Sequence, residues 1–227
     1  MKEKEIHRLN RSYDVVVCGA GETPTSAIAL QILKQSKHVV ACDGALQMLL
    51  DLGIVPDAVI GDGDSIPLAL RETYNTIFHQ ITEQDNNDLT KATLYALEHY
   101  VNKVSEPRFC YLGTTGKRED HTIANIALML HYARTLHIQP IIVSDYGYFM
   151  LGSGKSVFAS FARQQVSVFR ISGERLESEG LRWHLFPFTE FWQGTLNEAL
   201  GDSFTIDSDG KYLVYQTHEA KETNRNN

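Results

Sequence analysis

The stretch Tyr13-Asp14-Val15-Val16-Val17-Cys18-Gly19-Ala20-Gly21 decides the fold, because a β-branched run ends there in a glycine turn. The valine-rich run predicts a strand, the glycines predict a turn, and the residues that follow predict a helix. The same order of strand, turn and helix recurs along the chain as far as residue 145. This alternation predicts an α/β fold with a mainly parallel, doubly wound, Rossmann-like sheet and helices on both faces.

The individual elements of this region follow from short apolar runs and from helical spacing. Strands are predicted at residues 13–18, 39–43, 58–60, 76–81, 109–112 and 141–144, and helices at 26–33, 45–52, 68–74, 87–100 and 120–136. The clearest helix is 87–100, in which Leu89, Ala92, Ala96 and Tyr100 recur at helical spacing.

The pattern changes after Asp145, where helical spacing gives way to short strand-like runs separated by Gly, Asp and Ser. These runs lie at residues 157–161, 165–171, 185–188, 204–207 and 212–216. They are typical of a small antiparallel β-sandwich domain. The sequence therefore predicts two domains, an α/β domain at 1–145 and a β-rich domain at 146–227.

The composition excludes several classes of protein. With 43% hydrophobic residues the chain is not disordered, and its net charge of -7 argues against a nucleic-acid partner. The apolar runs are far shorter than the ~20 residues of a membrane helix, so we expect no membrane association. Residues 1–11 are charged and do not resemble a secretory signal, and the three cysteines lie in apolar stretches. These features predict reduced, buried thiols in a cytoplasmic protein.

Acidic residues recur where the predicted strands end. Asp43 follows one strand, Asp62 and Asp64 follow the next, Gln84 and Asp88 precede a helix, and Asp120 opens another. In a doubly wound sheet these loops share the edge outside the carboxyl ends of the strands. Clustered carboxylates repel one another unless cations neutralise them, and Mg²⁺ with phosphate is the usual solution. The alternative for a single aspartate is a helix N-cap or a turn residue.

The loop at residues 113–120 adds phosphate-binding features to the same edge. Its glycines allow a close backbone approach, and Lys117, Arg118 and a helix N-terminus favour phosphate oxygens. A solvated basic turn is the alternative. His121 lies beside Asp120, although a lone histidine is more often a packing or surface residue.

Two other glycine motifs do not fit nucleotide loops. Gly152-Ser153-Gly154-Lys155-Ser156 ends like a Walker A loop, but Phe149 stands where its first glycine belongs, and a hairpin turn is predicted instead. Gly19-Ala20-Gly21 follows a strand as a dinucleotide fingerprint does, but Pro24 takes the place of the third glycine. A phosphate-binding first turn remains open.

Six segments together resemble the ordered motifs of the thiamin pyrophosphokinase family. They are residues 41–45 (ACDGA), 61–65 (GDGDS), 84–92 (QDNNDLTKA), 116–125 (GKREDHTIAN), 180–185 (GLRWHL) and 194–198 (GTLNE). The first four resemble the catalytic, ATP- and Mg²⁺-binding domain, and the last two resemble the thiamin-binding β domain. The resemblance covers nearly the whole chain.

The resemblance implies transfer of the pyrophosphoryl group of ATP to the hydroxyethyl oxygen of thiamin, giving thiamin diphosphate and AMP. It implies that Asp62, Asp64 and Asp88 hold Mg²⁺ and carry catalysis. It also assigns nucleotide or acceptor contacts to a further set, namely Asp43, Gln84, Lys91, Gly116, Arg118, Asp120, His121 and Asn197.

Thiamin carries a cationic ring that favours an aromatic face, which Trp183 or Trp192 can supply, unless both are ordinary core residues. The family further implies a homodimer with active sites at the interface. Two alternatives stay open: a related diphosphokinase that acts on a hydroxymethyl pterin, and a non-catalytic nucleotide sensor.

Overall fold

The computed structural model describes residues 6–10 and 12–221, which divide into two compact units. The α/β unit extends from Asn10 to Asp145, and the β unit combines the described residues up to Leu9 with those from Tyr146 onward. The sequence prediction had grouped residues 6–9 with the α/β domain. The structure groups them with the β unit because β1 (Ile6–His7) pairs in parallel with a long strand there, β8 (Gly147–Ala159).

The α/β unit alternates strands and helices, as predicted. Its strands are β2 (Val15–Cys18), β3 (His38–Cys42), β4 (Ala58–Gly61), β5 (Phe78–Gln80), β6 (Arg108–Leu112) and β7 (Gln139–Val143). Its helices are α1 (Ala27–Gln35), α2 (Leu46–Asp51), α3 (Leu68–Thr73), α4 (Asp88–His99) and α5 (Glu119–Thr135).

The strands of this unit lie in the order β7-β6-β2-β3-β4-β5, and every neighbouring pair is parallel. All residues of β2 and β4 are buried, as expected for parallel strands that are covered on both faces. Helix α4 packs on β3 and β4, and α5 packs on β7. The predicted parallel α/β sheet is confirmed.

The strand order reverses between β2 and β6. The chain runs outward from β2 to β5, then returns to the other side of β2 and continues to β7. The loops that follow β2 and β6 therefore diverge at the carboxyl edge of the sheet and leave a crevice between them.

Helix starts at this edge are fixed by local polar residues. Ser26 caps α1 by accepting a hydrogen bond from the backbone N–H of Ala29 at 3.2 Å. Asn87 caps α4 in the same way, accepting from the N–H of Thr90 at 2.9 Å. Carboxylates in the first turns of α4 and α5 complement the positive ends of the helix dipoles. The caps fix where the loops of the crevice end.

The β unit contains β8, β9 (Gln164–Arg170), β10 (Leu176–Glu179), β11 (Asn197–Glu198) and β12 (Ser203–Ala220). Strand β12 pairs antiparallel with β8, β9 and β10, and β11 pairs antiparallel with β9. The core contains Phe158, which stacks on His7 at 4.9 Å and on Phe204 at 5.2 Å between ring centroids. The predicted antiparallel character of this region is confirmed.

Several details of the β unit differ from the prediction. The runs 204–207 and 212–216 belong to one strand, β12, whose register shifts between Asp207 and Lys211, and residues 185–188 form no strand.

The predicted hairpin turn at residues 152–156 is also wrong, because this segment lies inside β8. Gly152 pairs there with Tyr212, and a Cβ atom at Gly152 would lie 2.2 Å from that ring. The glycine makes room for an aromatic ring and does not form a turn.

The three cysteines are free and buried, as predicted. Burial raises the pKa of the Cys18 thiol to about 12, so this thiol stays protonated at neutral pH. In the described part of the chain, no helix has the length and apolar character needed to cross a membrane.

We predict that Asp14→Asn lowers the free energy of unfolding by about 1–3 kcal/mol at pH 7. The buried Asp14 carboxylate accepts hydrogen bonds from Lys37 Nζ at 2.6 Å and from the Arg108 backbone N–H at 2.9 Å. Burial opposes its ionisation, but these partners outweigh burial and hold its pKa below the usual value. Urea unfolding of both proteins measures the effect.

The difference should persist above about pH 4 and shrink at lower pH, where the native carboxylate takes up a proton. A difference that stays constant down to pH 3 would contradict the assignment of the ionised form.

Candidate active site

A cavity of about 490 Å³ lies at the carboxyl edge of the α/β sheet, where the strand order reverses. Its walls come from the turn after β2, the loop after β6, and the residues that follow β3 and precede α4. From the predicted site residues it brings together Asp43, Asp88, Gly116, Arg118 and His121. Open α/β sheets bind ligands at this position.

Two glycine loops that line the cavity contact each other. The backbone N–H of Gly21 donates to the Gly113 carbonyl at 2.6 Å, and the N–H of Glu22 donates to the Thr115 carbonyl at 2.8 Å. A Cβ atom at Gly21 would lie 2.5 Å from both carbonyl oxygens. Only glycine permits this approach, so the turn left open by the sequence analysis is one wall of the cavity.

Thr114 supplies an unsatisfied hydroxyl in the cavity wall. Its side chain is buried, and Oγ1 has no hydrogen-bond partner among the described residues. Asn125 Nδ2 donates to the Thr114 carbonyl at 2.7 Å and holds the loop in place. A buried hydroxyl without a partner costs about 1–3 kcal/mol. This orphaned group and the neighbouring glycine loops fit a ligand with hydrogen-bonding oxygens.

Asp43 is the buried carboxylate of the site, with 3% of its surface exposed. Its oxygens accept hydrogen bonds from the N–H groups of Gly44 at 2.6 Å and Gly63 at 3.1 Å. Burial, followed by the negative charges of Asp88 and Asp62, raises the pKa of Asp43 despite these bonds. The folded protein therefore loses stability as the pH rises through this pKa, unless a cation neutralises the carboxylate.

Asp62 and Asp64 lie in the loop after β4 and outside the cavity lining, although Ser65 of the same loop does line it. Asp62 Oδ1 accepts a hydrogen bond from the N–H of Asp64 at 3.1 Å, and this bond is the main reason that the pKa of Asp62 is lowered. Gln84 contributes to the same shift. Asp64 is exposed, and the lowered pKa of Asp62 keeps that carboxylate ionised at neutral pH.

Asp88 and Lys91 form a pair at the start of α4. Lys91 Nζ lies 3.4 Å from Asp88 Oδ1, and only 3% of the Lys91 side chain is exposed. Lys91 does not line the cavity. Backbone hydrogen bonds, from Asp64 to Asp62 and from Asn86 to Glu83, are the main causes that lower the pKa values of these two carboxyls, and the charge of Lys91 adds to both shifts.

The carboxylates do not form a complete metal cage. Among the described residues, no three His, Cys, Asp or Glu side chains are grouped closely enough to hold a metal ion. Mg²⁺ commonly takes one or two carboxylates and completes its shell with phosphate oxygens and water. The mutual repulsion of Asp43, Asp62 and Asp88 fits such a partly built site.

Arg118 and Asp120 form a two-point contact at the start of α5. Arg118 Nε donates to Asp120 Oδ1 at 3.1 Å, and a terminal guanidinium nitrogen donates to Oδ2 at 2.6 Å. Both side chains are mostly exposed, so the pair contributes little to stability. Its effect is to hold Arg118 at the cavity, while Asp120 itself lies outside the lining.

Asn197 of the β unit is committed to its own backbone neighbours. Its Oδ1 accepts from the N–H groups of Trp183 at 3.1 Å and Glu198 at 2.8 Å, and its Nδ2 donates to the Trp183 carbonyl at 2.7 Å. Asn197 therefore fixes Trp183. The alternative that the tryptophans are ordinary core residues is wrong, since Trp183 is 54% and Trp192 is 71% exposed.

Sequence reasoning missed two polar residues of this edge. Asn87 lines the cavity while it caps α4. Asp145 lies two residues after the end of β7, and its carboxylate accepts from the backbone N–H groups of Thr25 and Ser26, which fixes the loop between β2 and α1. Asp145 could have been identified by the same signal as Asp43, namely an acidic residue that follows a predicted strand.

Comparison with known proteins identifies both parts of the chain. The model of the thiamin pyrophosphokinase catalytic domain matches residues 29–140, and the model of the thiamin pyrophosphokinase substrate-binding domain matches residues 147–215. Together the two models span most of the chain. A search of curated proteins gave no match.

Solved structures share the fold at low sequence identity. Yeast thiamin pyrophosphokinase is 15% identical, with 95% of this chain and 92% of that chain covered at a TM-score of 0.76. Thiamin pyrophosphokinase from Candida albicans is 16% identical, with 91% of this chain and 90% of that chain covered at a TM-score of 0.75. Thiamin pyrophosphokinase from Geobacillus thermodenitrificans is 22% identical, with 90% of this chain and 97% of that chain covered at a TM-score of 0.72. At these identities the likeness establishes the fold alone.

We predict that Asp88→Asn lowers the pKa of Asp43 without bringing it to the ordinary value. The substitution removes a neighbouring negative charge but leaves the burial of Asp43, the larger cause of the shift. NMR titration of the aspartate carboxyl carbons measures the change. The exposed Asp51→Asn is the matched control, and an equal shift in both variants would show that Asp88 and Asp43 are not coupled.

Proposed function

The chain belongs to the thiamin pyrophosphokinase family and is a diphosphotransferase, and from that premise we propose how its residues transfer the pyrophosphoryl group of ATP to the hydroxyethyl oxygen of thiamin. The products are thiamin diphosphate and AMP. The observation that carries the proposal is the cavity between two glycine loops, with carboxylates on one wall and basic groups on another. The family matches give no support to the pterin enzyme or to the non-catalytic sensor.

The reaction is an in-line displacement at the β-phosphorus of ATP. The thiamin hydroxyl oxygen forms the new bond to this phosphorus, and the bond to the oxygen that bridges to the α-phosphorus breaks. That oxygen leaves with AMP, and one of Asp62, Asp64 and Asp88 accepts the hydroxyl proton. Positioning and charge neutralisation supply most of the catalysis in such transfers.

Mg²⁺ is the metal that this donor set fits. Of Asp62, Asp64 and Asp88, one or two would hold it directly, with Asp43 and Gln84 supporting them from the neighbouring loops. When bound, the ion would neutralise negative charge on the phosphates during the transfer. The raised pKa of Asp43 supports this assignment, because a cation would relieve the repulsion among its neighbours.

The nucleotide phosphates take their remaining contacts from the chain itself. The backbone at Gly116, the positive end of α5 and the side chains of Arg118 and His121 face the cavity. Asp120 orients Arg118, and buried Lys91 offsets the charge of the carboxylates from behind. These groups bind ATP while the carboxylates and the metal act on the transferred group.

The acceptor is assigned to the β unit, whose family model is the substrate-binding domain. Trp183 presents an exposed indole beside Arg182, whose guanidinium lies 5.2 Å from the centre of the indole ring. Arg182 also pairs with Glu198 at 3.3 Å, which partly neutralises it. The second indole face can stack on thiamin, and Asn197 acts by holding Trp183 rather than by touching the acceptor.

The protein is further proposed to be cytoplasmic and homodimeric, with active sites at the interface between subunits. The buried free thiols support a reducing compartment. Large exposed apolar side chains on the β unit, including Phe191, Trp192 and Leu196, support an assembly that covers them.

Measurement of AMP release with and without thiamin tests the reaction. We expect release that requires both thiamin and Mg²⁺ and that stops in excess chelator. Asp64→Asn should lower turnover at least ~100-fold, because it removes a metal-binding charge at nearly constant size, while the circular dichroism spectrum stays unchanged. The exposed Asp202→Asn of the β unit is the control. Thiamin-independent release, or activity that persists in chelator, would contradict the proposal.

The role of the β unit is tested by Trp183→Ala and Asn197→Ala. Both should raise the KM for thiamin about tenfold and leave the KM for ATP nearly unchanged, because stacking on one aromatic ring is lost while the phosphate site is spared. Equal rises in both KM values would contradict the assignment.

Mixing Asn197→Ala with Asp64→Asn tests the dimer in the same assay. Sites shared between subunits should regain activity, because one interface of a mixed dimer then combines two intact halves. Absence of recovery, with subunit exchange shown independently, would mean that each site is built from one chain.

A further inference from the structure

Lys117 has a backbone conformation that its side chain disfavours. Its φ is 60°, in the left-handed region, directly after Gly116 at 76°. Side chains with a Cβ rarely adopt this region, and such residues tend to cluster where function requires them. Glycine at this position would form the same turn without strain.

The Lys117 ammonium reaches from its own loop to the other glycine loop of the cavity lining. Nζ donates to the carbonyl oxygen of Ala20 at 2.9 Å. Ala20 belongs to the turn after β2 and Lys117 to the loop after β6, and both residues line the cavity. The side chain thus spans the point at which the strand order reverses.

Joining the two loops does not explain this arrangement, because backbone hydrogen bonds from Gly21 and Glu22 already join them. The positive charge of Lys117 is the property that remains to explain the arrangement. The carbonyl of Ala20 takes one of three ammonium donors. Lys117 forms no salt bridge with any of the described residues. The adjacent basic residue of the cavity lining, Arg118, does form one, with Asp120.

We propose that Lys117 binds the polyphosphate of the nucleotide, and that the chain accepts a strained loop in order to place this ammonium there. The inference rests on the proposed function in that it takes ATP as the ligand. The Lys117 ammonium strengthens nucleotide binding by donating hydrogen bonds to phosphate oxygens that the glycine loops do not contact. The same contact holds both loops around the bound nucleotide.

Lys117→Gly separates this role from a role in the turn. Relief of the strain should raise the midpoint of thermal unfolding of the free protein by about 2 °C. Loss of the ammonium should weaken binding of MgATP, titrated calorimetrically without thiamin, by about ten- to hundredfold. Binding of AMP should weaken much less, because AMP lacks the polyphosphate.

Two further variants make the result specific. Lys117→Met keeps the strain and removes the charge, so it should weaken MgATP binding without raising the unfolding midpoint. His137→Gly relieves a similar strain, with φ of 53°, at the far end of α5, about 25 Å away by helix length. It should raise the midpoint and leave MgATP binding unchanged.

Unchanged MgATP binding in Lys117→Gly would overturn the proposal and make Lys117 a turn residue. A lower unfolding midpoint in that variant would also overturn it, because the side chain would then serve the loop itself. Failure of the proposed function shows separately, as absence of thiamin-dependent AMP release from the wild-type protein.

Discussion

The site depends on the close contact between two loops at the reversal of strand order. Gly21 donates to the carbonyl of Gly113 there, and a single methyl group at Gly21 would prevent the bond. Because β2 and β6 are adjacent parallel strands, their loops leave the same edge and diverge into helices. The glycine contact joins the two loops, and the other lining residues belong to these loops and to the segments beside them.

Charge is distributed unequally in the cavity. Asp43 is buried and repelled by Asp88 and Asp62, whereas the buried Lys91 pairs with Asp88. Burial and the neighbouring charges raise the pKa of Asp43, so a bound cation would stabilise its ionised form. Arg118, which is held by Asp120, supplies positive charge to the same lining. The free protein is therefore poised for a ligand that brings both metal and phosphate.

The parallel sheet and the acidic edge could be predicted from the sequence because they depend on local signals. Valine-rich runs predict strands. Asp43 directly follows one such strand, and Asp88 lies at the start of the helix with the clearest helical spacing. The role of Asn197 could not be predicted, because its amide is satisfied by the backbone of Trp183, which is distant in sequence. Gly152 was misleading for a similar reason, since the ring that excludes a side chain there belongs to Tyr212.

Strand β12 runs for 18 residues and is hydrogen-bonded to β8, β9 and β10. Residues 205–207 and 212–216 of β12 have a paired strand on each side. We therefore expect their backbone amides to exchange with solvent more slowly than those of the loops, because several ladders must open before they are exposed. The exposed Trp183 segment lies outside this ladder, so it can adjust to an acceptor while the strands that support it stay rigid.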